Sequence, residues 1–392
     1  MIFQPELETM PRPELEELQA RRLRERFGID LEALPRQPFA TKSQLRDAYP
    51  FGLLRVPLSE CVRVHGSSGT RGKATIVAYT RNDIALWADC CARALAAAGG
   101  EAGTVVHVAY GYGLFTGGLG LHYGAEQLGC TVVPASSGNT PRQAQLLEDL
   151  GAEILCCTPS YALTIADHVP DPSRLAVRAG VFGAEPWTEG MREAIERALG
   201  LTALDIYGLS EIVGPGVSAE CLEARSGSHI NEDHFLVEVI DPASGDALPD
   251  GEVGELVFTT LTKEALPLLR YRTGDLASVT CQPCACGRTF ARMSRIVGRT
   301  DDMLIIRGVN LFPSEVERAL LEIAGLEPHY QLVIERPKHL DELTVQVEGD
   351  ASASDVQSQL ARVLGLSAKV EVLGAGSLPR SEGKALRVVD RR

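Results

Sequence analysis

The sequence lacks both an excess of basic residues and a long apolar run. Its 392 residues include 38 Lys and Arg but 52 Asp and Glu, which gives a formal net charge of −14 at pH 7. A chain this acidic offers no continuous positive surface to a phosphate backbone, which argues against a nucleic-acid-binding protein. No apolar stretch approaches the ~20 residues that a membrane-spanning helix needs. We therefore expect neither nucleic acid nor membrane among its partners.

A secretory signal is also absent. Residues 1–6 (MIFQPE) show neither the basic nor the apolar region of such a signal. The ten cysteines are therefore expected to be reduced thiols or metal ligands, not a disulfide framework. No internal repeat is present, and the length allows a large core and more than one domain. This combination predicts a cytoplasmic enzyme whose anionic ligands are held by local positive groups.

Two common nucleotide-binding motifs are missing as well. A Walker A motif places four residues between its first Gly and the Gly-Lys-Ser/Thr triplet, whereas five separate Gly66 from Gly72 here. The glycine-rich stretch 111–120 fails the dinucleotide fingerprint, because Thr116 stands where the third Gly is required. So many glycines after a predicted strand indicate instead that the backbone approaches a ligand or another helix closely.

The most informative stretch that is present is the loop 64–73 (VHGSSGTRGK). Gly lets a backbone fold its N–H groups into a concave nest for an anion, and Ser, Thr, Arg and Lys add donors and positive charge. Taken alone, the loop is equally well explained as a solvated turn between strands.

Strand-like and helix-like stretches alternate through the first half of the chain. The predicted strands are 74–79, 105–110, 131–134, 153–157, 175–182 and 203–207. Such alternation predicts a mostly parallel sheet with helices on its faces, and ligands then bind beyond the carboxyl ends of the strands. The loops at that edge are 65–73, 111–120, 183–188 and 207–217.

The second half changes character twice. Residues 235–240 and 255–260 read as antiparallel strands, and residues 303–392 read as a small α+β unit that follows the polar linker 298–302. Within that unit, Ser314 and Glu317 match the capping box of a helix start. The predicted fold is therefore α/β. A large N-terminal domain, residues 1–300, has mostly parallel sheets flanked by helices plus a β-rich subdomain, and a small mobile α+β C-terminal domain spans residues 301–392.

Three charged residues suit nucleotide chemistry. Glu211 follows a predicted strand, where a carboxylate can hold Mg²⁺, although a strand-end Glu in a surface turn gives the same pattern. Asp275, amid small residues, can accept hydrogen bonds from two ribose hydroxyls or simply cap a turn. Lys384 lies in a Gly-containing loop near the C-terminus and, by itself, is typical of a solvated basic tail.

The order and spacing of these motifs resemble the adenylate-forming superfamily of acyl-CoA synthetases, adenylation domains and luciferases. Within it, the chain resembles the phenylacetate–CoA ligase family from Phe39 onward. Beside the phosphate loop, the resembling stretches are Tyr207–Cys221 (YGLSEIVGPGVSAEC), Glu255–Asp275 (ELVFTTLTKEALPLLRYRTGD), Arg295–Pro313 (RIVGRTDDMLIIRGVNLFP) and Leu378–Arg387 (LPRSEGKALR).

The resemblance implies a role for each motif. Lys384 and Glu211 would be catalytic, with Glu211 holding Mg²⁺ and Lys384 reaching the site from a C-terminal domain that turns about the hinge Asp301. ATP and AMP would be bound by Ser67, Ser68, Gly69, Thr70, Gly72, Lys73, Gly183, Ala184, Glu185, Asp205, Tyr207, Gly208, Ser210, Asp275 and Arg299. The acid pocket would be lined by Tyr112, Phe115, Phe182, Gly183, Pro186 and Gly214, most of which fit a core position equally well.

The cysteines indicate a second site. Three of them cluster at 281–286, and Cys221 and His229 lie upstream. Three thiolates and one imidazole make a closed tetrahedral Zn²⁺ site, which is structural and not catalytic. The resemblance selects Cys221, His229, Cys284 and Cys286, with Cys281 as a spare thiol and His234 as a rival imidazole. Free cysteines in a loop remain the alternative.

The implied activity is that of an AMP-forming acid–thiol ligase of the aryl-CoA ligase type. It would use ATP and Mg²⁺ to convert an aromatic acid to an aryl-adenylate and pass the acyl group to coenzyme A. The alternative is a stand-alone adenylation enzyme that loads the acid onto the phosphopantetheine of an acyl carrier protein. Both acceptors end in the same thiol arm, so the motifs do not separate them. A regulator that has lost catalysis is disfavoured, because Glu211 and Lys384 are both present.

Three positions depart from the family pattern. Arg71 stands where relatives usually have Thr, and Gly274 stands where close relatives often have Arg. The region before Phe39 is shorter than in typical members. In relatives that region helps to shape the acid pocket and the dimer, so a homodimer is an expectation that rests on the least similar part of the chain.

Overall fold

The computed structural model describes residues 1–67, 75–300, 302–307, 309–337, 340–381 and 384–392. Its α-helices are α1 (Pro5–Glu8), α2 (Arg12–Phe27), α3 (Lys42–Asp47), α4 (Arg81–Ala97), α5 (Gly117–Leu128), α6 (Thr140–Asp149), α7 (Pro159–Ala166), α8 (Glu189–Leu199), α9 (Pro313–Leu321) and α10 (Ala353–Leu364). Short 3₁₀ turns occur at Leu31–Arg36, Leu58–Glu60 and Pro172–Arg174.

The structure contains strands beyond those that the sequence predicts. Those of the N-terminal part are β1 (Cys61–Gly66), β2 (Ile76–Thr80), β3 (Val105–Val108), β4 (Thr131–Val133), β5 (Ile154–Cys157), β6 (Ala179–Gly183), β7 (Thr202–Leu209), β8 (Gly214–Ala219), β9 (Ser228–Ile230), β10 (Phe235–Ile240), β11 (Gly254–Thr260), β12 (Tyr271–Ala277), β13 (Val279–Thr280), β14 (Arg292–Met293) and β15 (Gly298–Arg299). The C-terminal part contributes β16 (Leu304–Ile306), β17 (Val309–Leu311), β18 (Leu326–Glu335), β19 (Glu342–Gly349), β20 (Lys369–Leu373) and β21 (Val388–Asp390).

A nine-stranded sheet forms the centre of the N-terminal part. Its order is β13-β14-β9-β8-β7-β6-β5-β3-β4. Neighbouring strands from β4 to β7 pair parallel, as predicted. The predicted strand 74–79 does not join them, since β2 pairs antiparallel with β1 in a separate two-stranded sheet. From β7 to β13 the neighbours pair antiparallel, because these strands are joined by loops without crossover helices. The parallel half therefore places the ends of β6 and β7 at one open edge, where the predicted ligand loops lie.

The glycine-rich stretch after β3 serves helix packing. A Cβ atom on Gly120 would lie 2.5 Å from the Trp87 ring, and one on Gly124 would lie 2.4 Å from the Cβ of Cys91. Side chains at these positions of α5 would collide with α4, so the two helices pack closely only because the residues are glycines. This confirms the prediction that the stretch lets the backbone approach another helix.

The β-rich subdomain is a four-stranded antiparallel sheet in the order β10-β11-β12-β15. Both strands predicted here, 235–240 and 255–260, are confirmed within one residue. The last pair of this sheet, β12 and β15, sets Asp275 directly opposite Arg299. Two residues that the sequence separates by a turn and two further strands are thereby held side by side by backbone hydrogen bonds.

The C-terminal part has its own sheet and its own hydrophobic cluster. The sheet order is β20-β19-β18-β21, and the buried cluster beneath α9 and α10 draws only on residues 304–388. The predicted capping box of Ser314 and Glu317 is wrong. The α9 helix begins at Pro313, the Glu315 carboxylate accepts the Phe312 N–H at 3.0 Å, and Ser314 Oγ donates to the Val297 carbonyl at 2.7 Å. Glu317 is thus free to contact the N-terminal part instead.

Among the residues that the structure describes, no helix combines the length and the apolar character that crossing a membrane requires.

Candidate active site

Three predicted nucleotide-binding residues meet at the edge between the two N-terminal sheets. The Asp275 carboxylate on β12 accepts a hydrogen bond from the Tyr207 hydroxyl at 2.7 Å and forms an ion pair with Arg299. The Tyr207 ring lies 6.2 Å from the Phe258 ring in a stacked arrangement. Gly274, beside Asp275, has a φ of +78°, a conformation that favours glycine over the Arg of close relatives. The arrangement presents a fixed carboxylate suited to a ribose diol.

Glu211 lies just beyond β7, with its side chain buried. Among the described residues, its Oε1 has no hydrogen-bond partner, and the Lys42 ammonium lies 3.4 Å from it. A buried carboxylate oxygen without a hydrogen bond is uncommon, and it fits a ligand position for a hard cation such as Mg²⁺. Glu211 therefore passes a structural test for the role that the resemblance implies.

Two lysines next to Glu211 were missed by sequence reasoning. Lys42, at the start of α3, forms the ion pair just described. Lys263 is fully buried and donates to the backbone carbonyl of Glu211 at 3.0 Å. Burial lowers the pKa of Lys263 to about 8, against opposing effects of Asp83 and Glu211. Lys263 lies within the resembling stretch Glu255–Asp275 and Lys42 lies outside the resembling stretches, and nothing in the local pattern pairs either lysine with Glu211.

Lys384 is an exposed residue in the segment between β20 and β21. The N–H of the next residue, Ala385, donates to the Glu185 carboxylate of the N-terminal part at 2.8 Å. Desolvation lowers its pKa, Arg299 and Lys42 act in the same direction, and Glu185 and Asp275 oppose them. These electrostatic partners all belong to the N-terminal part. The predicted catalytic lysine thus interacts electrostatically with Asp275 and Arg299, two of the predicted nucleotide-binding residues, although they are far apart in the sequence.

The loop after β6 contains two of the predicted nucleotide-binding residues, Ala184 and Glu185. Ala184 has a φ of +75°, and the Glu185 carboxylate accepts the Ser160 N–H at 2.8 Å. Asp205, predicted to bind ATP, instead accepts the indole N–H of Trp187 at 3.1 Å, so its side chain supports this loop. Burial, with Glu220 nearby, raises the pKa of Asp205 to about 6.

Among the remaining predicted nucleotide-binding residues, the structure describes some and not others. Gly208 leaves no room for a side chain, since a Cβ there would lie 1.9 Å from the Gly214 carbonyl oxygen, and Ser210 Oγ lies 3.0 Å from Thr116 Oγ1. Ser67 begins the phosphate loop, where its N–H donates to the Thr75 carbonyl at 3.0 Å. The rest of that loop and the predicted hinge fall outside the described part of the chain. The predicted residues concerned, together with Arg71, are Ser68, Gly69, Thr70, Gly72, Lys73 and Asp301.

The predicted acid-pocket residues are not all in one place. Tyr112 is half-buried, and its hydroxyl lies 3.2 Å from His122 Nδ1. Phe115 is half-buried near the start of α5. The next residue, Thr116, lies near Gly214, since a Cβ on Gly214 would lie 3.1 Å from the Thr116 Cβ. Phe182, in contrast, is fully buried in the hydrophobic cluster beneath α7 and α8. Its position there is that of a core residue, the alternative given for it above.

The predicted zinc ligands form one cluster. Their ligand atoms all lie within 4.8 Å of one another, for Cys221, His229, Cys284 and Cys286. The Cys221 and Cys284 sulfurs are 3.7 Å apart, and Cys286 Sγ lies 3.3 Å from His229 Nε2. His229 Nδ1 lies 3.3 Å from the Phe290 carbonyl, so an N–H there leaves Nε2 available as a ligand.

The two rival ligands lie outside this cluster. Cys281 is exposed, and His234 is hydrogen-bonded to Thr262 Oγ1 at 2.8 Å with its Nε2 3.2 Å from Asp233. The four residues selected by resemblance are therefore the ones that the fold brings together.

Comparison with known proteins identifies relatives of this arrangement. Residues 67–261 match the family model for AMP-binding enzymes, and residues 308–392 match that for the AMP-binding enzyme C-terminal domain. The chain is 51% identical to the phenylacetate-coenzyme A ligase of Thermus thermophilus over 444 residues, covering 100% of both chains. It is 52% identical to that of Escherichia coli over 380 residues, covering 93% of this chain and 86% of the relative.

A solved ligase resembles the structure to different degrees in two states. The 2-hydroxyisobutyryl-CoA ligase with 2-HIB-AMP in the postadenylation state superposes with a TM-score of 0.90 at 30% identity, covering 100% of this chain and 92% of the other. The same enzyme with 2-HIB-AMP and CoA in the thioesterification state gives 0.71 at 31% identity, covering 98% and 91%. Since the two comparisons involve one enzyme, the difference lies in the arrangement of its parts.

Proposed function

The chain belongs to the phenylacetate–coenzyme A ligase family of AMP-binding enzymes, and we propose that it joins an aromatic carboxylic acid to the thiol of coenzyme A with cleavage of ATP to AMP. The identity of about 50% to such ligases over nearly the whole chain supports this activity over the loading of a carrier protein. The observation that carries the proposal is that Asp275 pairs with Arg299 and Tyr207, while the residue after Lys384 is hydrogen-bonded to Glu185 of the N-terminal part. These contacts support a site in which a carboxylate binds the ribose and an ammonium stabilises the developing charge.

In the first half-reaction, a carboxylate oxygen of the acid attacks the α-phosphorus of ATP. The bond to the bridging oxygen of the β-phosphate breaks, and pyrophosphate leaves. Two anions must approach each other, so positive charge has to converge where charge develops. Lys384 supplies one ammonium from the C-terminal part, while Asp275 and Arg299 hold the ribose and fix the angle of attack.

We propose that Glu211 holds Mg²⁺. The buried Oε1 without a hydrogen bond and the adjacent ammonium of Lys42 support this assignment. When bound, Mg²⁺ would neutralise phosphate charge. In its absence, Lys42 would be the counter-ion that makes the buried carboxylate tolerable.

In the second half-reaction, the thiol sulfur attacks the acyl carbon, the bond to the adenylate oxygen breaks, and AMP leaves. Lys384 then stands where the thiol must enter. We propose that the C-terminal domain, residues 301–392, turns away about the segment near Asp301 while residues 1–300 keep the adenylate. The closer superposition on a postadenylation state supports an arrangement that belongs to the first half-reaction.

We further propose a structural Zn²⁺ bound by Cys221, His229, Cys284 and Cys286. The short distances among the four ligand atoms support it, as does the carbonyl beside His229 Nδ1. The ion would fasten the loop between β13 and β14 to the segment that joins β8 and β9.

The acid pocket that we propose is smaller than the predicted one. It keeps Tyr112, Phe115, Gly183, Pro186 and Gly214 and omits Phe182, whose ring packs against Trp187 in the core. An aromatic acid suits the half-buried rings of Tyr112 and Phe115. The homodimer and the cytoplasmic location remain predictions.

ATP–pyrophosphate exchange against a panel of acids tests the proposal. The panel should contain phenylacetate, benzoates, hydroxy- and aminobenzoates, heteroaromatic acids and aliphatic acids. We expect exchange with one aromatic subset, and thioester formation when coenzyme A is added. Exchange without transfer to coenzyme A, but with transfer to a carrier protein, would favour the alternative acceptor. Absence of exchange with every acid, from folded protein supplied with Mg²⁺, would contradict the proposed activity.

A further inference from the structure

The Glu185 carboxylate links the two halves of the molecule, the N-terminal part and the C-terminal part. Glu185 follows β6 in the N-terminal part, and its Oε1 accepts the N–H of Ser160 at the start of α7, at 2.8 Å. Its Oε2 accepts the N–H of Ala385, also at 2.8 Å. Ala385 is the residue directly after Lys384, so the position of the lysine backbone is tied to this carboxylate.

A second carboxylate makes the reciprocal contact. Glu317, on α9 of the C-terminal part, is buried, and its Oε1 accepts the N–H of Thr188 in the N-terminal part at 3.2 Å. Its Oε2 lies 3.6 Å from Arg387, three residues beyond Lys384. Each half thus offers a carboxylate to a backbone amide of the other half, and the N-terminal residues of the two contacts, Glu185 and Thr188, are three positions apart in the sequence.

Backbone amides are the relevant partners because a hydrogen bond to an amide depends on the position of the backbone and not only on charge. A carboxylate–amide hydrogen bond needs a donor–acceptor distance of about 2.7–3.2 Å and a near-linear angle. Such a bond breaks when a rotation of one half moves the donor even a few ångströms away from the acceptor. An ion pair between flexible side chains, such as Arg380 with Asp167 at 3.4 Å across the same boundary, tolerates far more movement.

We propose that Glu185 is a positioning residue that holds the Lys384 segment in the adenylation arrangement, with Glu317 as its reciprocal partner. The inference rests on the proposed two-step ligase reaction. Glu185 would act in the first half-reaction only, because a domain rotation that withdraws Lys384 also withdraws the Ala385 amide. The resemblance also implies a role for Glu185 in ATP binding, and the test below separates that role from positioning.

The test separates the two half-reactions in Glu185→Gln and Glu185→Ala variants. A Gln side chain has one acceptor oxygen, so it can serve only one of the two amides. We expect the rate constant of acid-dependent ATP–pyrophosphate exchange to fall roughly 10- to 100-fold, the size typical of a hydrogen bond to a charged group. The KM for ATP should change little, and the conversion of a supplied acyl-adenylate to thioester by coenzyme A should keep its wild-type rate.

Two further variants control the experiment. Glu193→Gln removes the same charge from an exposed position on α8 and should leave both half-reactions unchanged. Glu317→Gln should show the same selective loss as Glu185→Gln but a smaller one, because its amide bond is longer. Melting temperatures measured for all variants reveal any general loss of folding.

The outcomes distinguish this inference from the proposed function. If wild-type protein shows no exchange with any acid, the ligase proposal fails. If wild-type protein is active but Glu185→Gln slows both half-reactions equally, or raises the KM for ATP at unchanged rate constant, the positioning role is overturned in favour of a structural or nucleotide-binding role. A selective loss in the first half-reaction supports it.

Discussion

The residues that we propose to hold the nucleotide and the lysine that we propose to complete the site are held in place in different ways. Tyr207, Asp275 and Arg299 lie on strands of two sheets, and Asp275 and Arg299 are paired by register. Lys384 lies in a segment between strands and is joined to the other half by polar contacts such as the Ala385–Glu185 bond. The comparison teaches that permanent binding groups are built on regular structure, whereas a group needed for one step is held by contacts that a rotation can break.

The largest expected effect comes from removing the lysine. In Lys384→Ala, adenylate formation loses a positive charge that faces the reacting phosphate, so we expect its rate to fall roughly 10²- to 10³-fold. Thioester formation from a supplied adenylate should continue at the wild-type rate. The two rates are measured separately by pyrophosphate exchange and by thioester formation.

Lys369→Ala is the matched control, because Lys369 is exposed on β20 and pairs with Glu342 far from the crevice. Its rates should be those of wild type. A Lys384→Ala protein that loses both half-reactions would contradict the idea of a group needed for one step.

The next effect concerns the proposed magnesium ligand on the fixed side of the site. Glu211→Gln removes the charge that faces Lys42 and leaves Lys263 bonded to the backbone carbonyl. We expect adenylate formation to fall roughly 10- to 100-fold and the half-saturating Mg²⁺ concentration to rise, since a neutral amide is a poorer ligand for a hard cation. A Mg²⁺ titration of pyrophosphate exchange measures both changes, and an unaltered Mg²⁺ dependence would contradict the assignment.

A smaller and different effect is expected at the Cys-His cluster. Cys284→Ser should reduce bound zinc from about one per chain and lower the melting temperature by several degrees, because a ligand of a folded-state metal site is lost. Both half-reactions should decline together, since the ion supports the fixed part of the molecule. Metal analysis and thermal unfolding measure these changes.

Cys281→Ser is the control for that experiment, because its thiol is exposed and outside the cluster. It should retain zinc and melting temperature. Purified wild-type protein without any zinc, or a Cys284→Ser variant that melts like Cys281→Ser, would contradict a structural metal site.

The smallest effect is expected at Tyr207. Tyr207→Phe removes the hydroxyl that donates to Asp275 and keeps the ring beside Phe258. With Arg299 still paired to Asp275, the loss should be about 1 kcal/mol, or roughly a 5-fold weaker binding of ATP and of AMP alike. Equilibrium binding of both nucleotides measures this, and a change confined to one of them would break the distinction between fixed and removable groups.

The sequence was most informative where the chemistry depends on residue type. Cys221, His229, Cys284 and Cys286 were selected by resemblance, and the fold brings their ligand atoms together. Asp275 and Arg299 were assigned to one ribose, and sheet register sets them opposite each other. In both cases an isolated residue has an ordinary structural explanation, and the order of several motifs along the chain provides the signal.

The sequence was least informative where a contact crosses between the two halves. Ser314 and Glu317 fit a local capping box, but Glu315 occupies the capping position and Glu317 reaches Thr188. Local pattern rules consider only neighbours along a helix, and they carry no information on a partner from another domain. The side-chain role of Glu185 escaped prediction for the same reason, whereas Lys42 escaped it because its partner Glu211 is distant in the sequence.

The register of β12 and β15 has a mechanical consequence. Arg299, the partner of Asp275, ends the last strand before the chain enters the C-terminal part, whose first strand starts at Leu304. A rotation about this crossing point moves each atom in proportion to its distance from the axis. A nucleotide held by Asp275 would stay with the N-terminal part, whereas Lys384 and the Ala385 amide belong to the C-terminal part and would be carried away from it. One rotation can therefore withdraw Lys384 and open the path of the thiol without loosening the bound adenylate.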